Sequence, residues 1–227
     1  MRIKALLLGD IRFQWKYGFY FLYLIFSLFY IFLLGIVPEA WKQKVALIMV
    51  FSDPAAMGLF FMGAILLLEK SEQTLQSLAV SPVKPVEYVL AKLGSLALLS
   101  NLVGFCIALS ATGIENPLLF FLGVFLGSCL FSAIGLLVAT KAKTLNQFIV
   151  LTIPFELVIN LPAFAYLFGW KIPALLLHPG VCILELCGNG NHPFLAIVVL
   201  LAWNAGIIRL ATKQMETYFH SQGGNKE

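Results

Sequence analysis

Long apolar runs separated by short polar breaks set the pattern of this chain. Runs near the roughly 20 residues that cross a hydrocarbon core as helix fall at Tyr17–Val37, Val45–Leu68, Leu93–Ile114, Pro117–Thr140, Leu145–Trp170 and Phe194–Leu210. They predict an all-α membrane protein with six transmembrane helices. Ahead of them, Met1–Lys16 groups Ile3, Leu7 and Ile11 on one side and Arg12 and Lys16 on the other, the pattern of an interfacial helix. Asp10 intrudes on its apolar side. Between the second and third runs lies a polar segment, Glu69 to Lys92, that is patterned rather than random. Helical spacing puts Glu69, Glu72 and Gln76 on one side and Leu75 with Leu78 on the other, as in a helix with one solvated and one docked face. Pro82 and Pro85 forbid its continuation, and Pro85 with Glu87 can start the next helix. The product is helix, break, helix at the membrane surface.

The order of residues in this segment resembles the membrane subunit of a type-2 ABC exporter. There the second membrane helix ends in an acidic residue and a Thr-Leu-x-x-Leu stretch, followed by Ser/Thr-Pro, a Glu and a small-residue-Lys pair. Here those positions read Glu69, Thr74-Leu75, Leu78, Ser81-Pro82, Glu87 and Ala91-Lys92. The family usually has Gly before the Thr and Glu after the Leu, where this chain has Gln73 and Gln76. The resemblance implies a coupling helix seated in a cleft of a separate ATP-binding subunit, through Glu69, Glu72, Thr74, Leu75, Gln76, Leu78, Ser81 and Pro82. It implies two such subunits and a second permease, either another copy or a related chain. ATP and Mg would sit in the partner, and no cofactor is expected in this chain. The resemblance also implies that the N-terminal helix braces the coupling segment; a basic flank that merely fixes orientation explains the same residues.

Composition agrees with the pattern: 60% of residues are hydrophobic, 11% are charged, and the mean hydropathy is +0.93. A soluble domain of this length would need more polar surface. Short connections imply a single domain over 1–227, comprising an interfacial helix (1–16), a bundle (17–212) and a tail (213–227) that is expected to be disordered from His220 onward. The first apolar run is a full span with no small-residue cleavage pattern after it, which argues against a cleaved signal peptide. Basic residues are retained inside, and an inside N-terminus leaves only Lys42, Lys44 and Lys171 outside. Both termini and Glu69–Lys92 are therefore expected in the cytoplasm of a bacterial cell, with the chain in its cytoplasmic membrane. The net charge of +4 reports topology and contact with anionic lipid rather than nucleic acid.

Little else carries chemistry. No phosphate-binding G-x-x-x-x-G-K-[ST] loop occurs, no nucleophile and base pair is evident, and His178, His192 and His220 lack metal-ligand spacing. The chain is expected not to be an enzyme. Cys182 and Cys187 are too far apart on a continuous helix to form a disulfide, and pair only if that stretch turns. Ionisable groups inside spans are costly and mark function. Asp53, before Pro54, either faces a wet path or caps the helix that Pro54 begins. Glu156 and Asn160 share a face of a span that Pro154 and Pro162 break. They line a polar path, or Glu156 is protonated and hydrogen-bonded inside the bundle. Small residues at Gly123, Gly127, Ser128 and Ser132 suit close helix packing. From Lys171 to Pro193, prolines and glycines interrupt an apolar stretch before it can span, which fits a re-entrant hairpin dipping from the outer face or an ordinary external loop. The family carries a re-entrant pair there, and Asp53, Glu156 and Asn160 would then line its translocation path. The expected function is the permease of an ATP-driven exporter of a drug, peptide or lipid-like substrate. The alternatives are a haem-export permease of cytochrome c maturation, and a proton-coupled secondary transporter using Asp53 and Glu156.

Overall fold

The computed structural model describes residues 2–52, 57–110 and 116–222. Its helices are α1 (Arg2–Lys16), α2 (Phe19–Ile36), α3 (Glu39–Val50), α4 (Met57–Ser71), α5 (Thr74–Ala79), α6 (Pro85–Ser110), α7 (Pro117–Lys141), α8 (Leu145–Leu167), α9 (Pro179–Cys187) and α10 (Pro193–Gln222). A 3-10 turn, Pro173–Leu177, precedes α9. There is no strand among the described residues. Among them, α2, α6, α7, α8 and α10 are long and apolar enough to cross a membrane.

The second expected span is described in two pieces. Helix α3 ends at Val50, a π-type turn follows at Phe51 and Ser52, and α4 begins at Met57. Neither piece reaches the length of a crossing by itself, at 12 and 15 residues. Asp53 and Pro54 lie outside the described residues.

Helix α7 occupies the middle of the bundle, with α4, α6, α9 and α10 around it. Its contact with α4 is backbone to backbone. A methyl group added at Gly135 would lie 2.3 Å from the carbonyl oxygen of Leu59, and one at Gly58 would lie 2.4 Å from Ser132 Oγ. Gly127, Ser128 and Ser132 are all buried, so the small-residue stripe is spent on packing within the chain. The hydroxyls of Ser100 and Ser128 pair at 2.9 Å between α6 and α7. On the other side, Asn204 Nδ2 of α10 donates to the Leu126 carbonyl at 3.1 Å. Helix α2 touches the bundle lightly and leaves Phe21, Leu24, Leu28 and Phe32 exposed, as a lipid-facing span should.

The tail begins later than its polarity suggests. Helix α10 runs unbroken to Gln222, because Ala211, Met215 and Phe219 recur every four residues and are buried. The Phe219 ring meets that of Tyr88 edge-on at 5.8 Å, which carries the helix past His220.

Candidate functional site: a buried charge cluster behind a short surface helix

Helix α5 is one and a half turns long and sits at the end of the bundle where α4 stops. Leu75 is buried and Leu78 half-buried, while Glu72, Gln76, Ser77 and Pro82 are exposed. Val80 closes the helix with 75% of its surface exposed, an unusual position for a valine. The solvated and docked faces expected for this segment are both present. Its entry is a tight turn in which Gln73 adopts φ 58, in the left-handed region. Glycine enters that region without a Cβ penalty, which explains why the resembled family usually has Gly at this position. Gln73→Gly is expected to raise stability by about 0.5–1 kcal/mol, and chemical unfolding in mixed micelles measures it. The exit is equally local. Ser81 Oγ donates to the Leu78 carbonyl at 2.7 Å, Pro85 opens α6, and Glu87 Oε2 accepts from the Lys84 N–H at 3.1 Å, a capping contact.

Behind α5 lies a cluster of charges with almost no solvent. Glu69, near the end of α4, and Lys92, in α6, are 4% and 1% exposed. Lys92 Nζ donates to Asp10 Oδ1 at 2.5 Å and also to Glu69 Oε1. The Tyr88 hydroxyl donates to Glu69 Oε2 at 2.5 Å. The ammonium lies 5.5 Å from the ring centre of Phe13 and 5.4 Å from that of Tyr88. Nearby, Gln14 Nε2 donates to Ser95 Oγ at 2.9 Å. One lysine thus ties α1, α4 and α6 together, and Asp10 sits on the apolar side of α1 because that side faces Lys92. Burial holds the Asp10 carboxyl above its usual range, an effect that the adjacent Lys92 opposes without cancelling.

A second anchor stands beside the first. Lys70 Nζ donates to the carbonyls of Ala139, Thr140 and Ala142 at 2.7, 2.9 and 3.1 Å, which places a cation on the carbonyl end of α7 where the helix dipole favours it. It also lies 5.3 Å from the Tyr218 ring. Burial lowers its pKa. Outside, the Tyr17 hydroxyl donates to Glu72 Oε1. The turn carrying α5 is therefore fixed to α1, α4, α6 and α7.

The expected coupling residues divide accordingly. Glu72, Gln76 and Pro82 are exposed, Thr74, Leu78 and Ser81 half-buried, and Leu75 and Glu69 buried. Glu69 does not share a solvated face with Glu72 and Gln76. The left-handed residue at Gln73 resets the helical phase, so Glu69 belongs to α4 and points inward. Glu156 and Asn160 of α8 are half-buried, and Asn160 Oδ1 has no hydrogen-bond partner among the described residues.

One buried acid has no counterpart in the sequence reading. Glu185 in α9 is 5% exposed; its carboxylate accepts from the Tyr166 hydroxyl at 2.6 Å and the His192 N–H at 3.0 Å. A methyl group at Gly190 would lie 2.2 Å from its carboxyl carbon. A lone Glu within VCILELC is the signal that marks it. All nine residues of α9 are buried, and Cys182 and Cys187 on it are free thiols.

Long apolar helices around a buried core, with a short polar helix held at one end, define a multi-pass membrane transport subunit. The chain belongs to the Fluoroquinolones export permease protein family, whose model matches residues 1–217. Two curated relatives, each named a fluoroquinolones export permease protein and found in two strains of Mycobacterium tuberculosis, are 30% identical to it over 156 residues. The match covers 68% of this chain and 64% of the relatives' length. Family membership supports the resemblance carried by Glu69 to Lys92, that of the permease subunit of an ABC-type exporter.

Proposed function

We propose that this chain is the membrane half of an ATP-driven exporter in a bacterial cell membrane, with both termini and α5 in the cytoplasm. The observation that carries the reading is the exposed face of α5, held on a rigid mount by the Glu69–Lys92–Asp10 cluster. A separate ATP-binding subunit, present in two copies, takes that face through Glu72, Gln76 and Val80. Its closure on ATP and Mg moves α5 together with α4 and α6, because the buried ion pairs resist separation. Lys70 passes the same displacement to the end of α7. The substrate path runs past Asp53, Glu156 and Asn160, between this permease and a second one. The stretch from Lys171 to Pro193 dips back from the outer face as a gate. The cargo is a drug-like molecule, and the relatives' names direct attention to fluoroquinolones.

Purification from membranes tests this reading. An ATP-binding subunit should co-elute with the tagged chain, and Val80→Asp should abolish co-elution while leaving the melting temperature unchanged, because Val80 packs on little within the chain. Leu75→Asp is a poorer probe, since Leu75 is 1% exposed and its loss would unfold α5. Transport by the isolated chain under a pH gradient would instead identify a secondary transporter. Haem export without drug export would identify a cytochrome maturation permease.

A further inference from the structure

We propose that the groove where α7, α8 and α10 meet at Lys141 holds one acidic phospholipid, with its phosphate on Lys141 and Lys213 and an acyl chain laid along the helices. The groove measures about 390 Å³ and is walled by Leu137, Val138, Leu151, Phe155 and Leu210. Lys141 and Gln214 are the polar residues of its lining. The Gln214 amide nitrogen is committed to α7, donating to the Leu137 carbonyl at 3.2 Å and to Thr140 Oγ1. That contact fixes the two helices in register and sets Lys213 level with Lys141. Past Phe155, which lines both spaces, the groove continues between Leu130, Ile134, Val158 and Ile207. From Leu130 to Lys141, α7 rises about 16 Å, close to the depth of one leaflet, half of a hydrocarbon core of roughly 30 Å. A channel that is apolar over that depth and cationic at one end matches a lipid with a negative headgroup.

The cations decide the headgroup. Lys141, Lys143, Arg209 and Lys213 are exposed, and none of them makes an ion pair among the described residues. Arg209 and Lys213 directly precede Leu210 and Gln214 in α10, so they stand at the outer lip of the groove. Glu216, the acid nearest them in sequence, lies about 200° round the helix from Gln214 and faces away from the groove. The carbonyl end of α7 would repel an anion, but Lys70 already bonds the carbonyls of Ala139, Thr140 and Ala142 and offsets that end. Basic residues beside a bilayer gain from acidic lipid. A zwitterionic lipid fits the same walls but brings an ammonium toward four cations, and that difference separates the two occupants.

That this end of the groove lies in the inner leaflet rests on the exporter reading above; binding itself needs no ATP-binding subunit. The test uses the full chain in neutral detergent micelles, titrated with equal amounts of phosphatidylglycerol and phosphatidylcholine of the same acyl chains and weighed intact by native mass spectrometry. One phosphatidylglycerol per chain should be retained in preference to phosphatidylcholine. Lys141→Gln should cut that preference about fivefold, and Lys141→Gln with Lys213→Gln about twentyfold. Lys171→Gln, beyond the other end of α8, should leave it unchanged. Leu210→Trp, which fills the groove, should release both lipids at unchanged melting temperature, and Leu151→Trp fills it from α8 should Leu210→Trp fail to fold. Equal retention of the two lipids by the parent, a preference that survives the double substitution, or lipid retained in the filled variants would overturn the proposal. So would displacement of phosphatidylglycerol by millimolar glycerol phosphate, which describes a site for free anions. Any of these with ATPase co-elution intact would remove the lipid site and leave the exporter reading standing.

Discussion

Lys92→Met is expected to lower the unfolding free energy by about 3–5 kcal/mol, the cost of removing one partner from a buried ion pair. Lys92 is 1% exposed and is the cation that faces both Asp10 and Glu69. Without it, Glu69 keeps the hydroxyl of Tyr88 at 2.5 Å, while Asp10 loses its ion pair. Two carboxylates would then share a dry space, and at least one must take a proton. The loss should be reversible by chemistry rather than by volume. Adding Asp10→Asn and Glu69→Gln to Lys92→Met removes the uncompensated charges, and most of the stability should return, since well-packed neutral groups replace buried ion pairs at little cost. Denaturant titration in mixed micelles measures both. A single variant within about 1 kcal/mol of the parent would mean that the cluster is hydrated and holds nothing.

Gly135→Val should be nearly as damaging, at about 3 kcal/mol, the upper end of the range for overpacking. The contact at Gly135 is with backbone: its added carbon would lie 2.3 Å from the Leu59 oxygen and 2.9 Å from the Leu59 Cα. A side chain could rotate away, but a helix backbone cannot, so α4 must separate from α7 along its length. Gly206→Ala in α10 is the control. Nothing lies within 4 Å of the new methyl, and the change should be neutral or stabilising by about 0.5–1 kcal/mol through helix propensity. Thermal unfolding of the pair tells the two apart. Equal behaviour would show that α4 and α7 are not in close contact.

What the sequence discloses here follows the range of each interaction. The long helices are readable because apolar length alone defines them. The boundaries of α5 and α6 are readable because Pro82, Pro85 and Glu87 act on their immediate neighbours. Leu75 as the docked residue and Glu72 and Gln76 as solvated ones follow from helical spacing. Glu69 does not, since one left-handed residue at Gln73 breaks the phase that the spacing assumes. Asp10 looks misplaced on α1 because its partner is 82 residues away, beyond any local pattern. The end of α10 reads as a tail although Met215 and Phe219 bury it. There average polarity outweighed the few positions that decide the structure. Glu185 is legible as a lone acid in an apolar stretch, but its partners, Tyr166 and His192, come from either side of α9.

The division of work between this chain and an ATPase is tested most directly by where the outer face of α5 points in the living cell. A photo-crosslinking residue at the exposed Ser77 position should give an adduct with a nucleotide-hydrolysing subunit, and the yield should change when ATP is depleted. Labelling of the same position by a membrane-impermeant reagent added outside the cell, with no such adduct, would contradict the account.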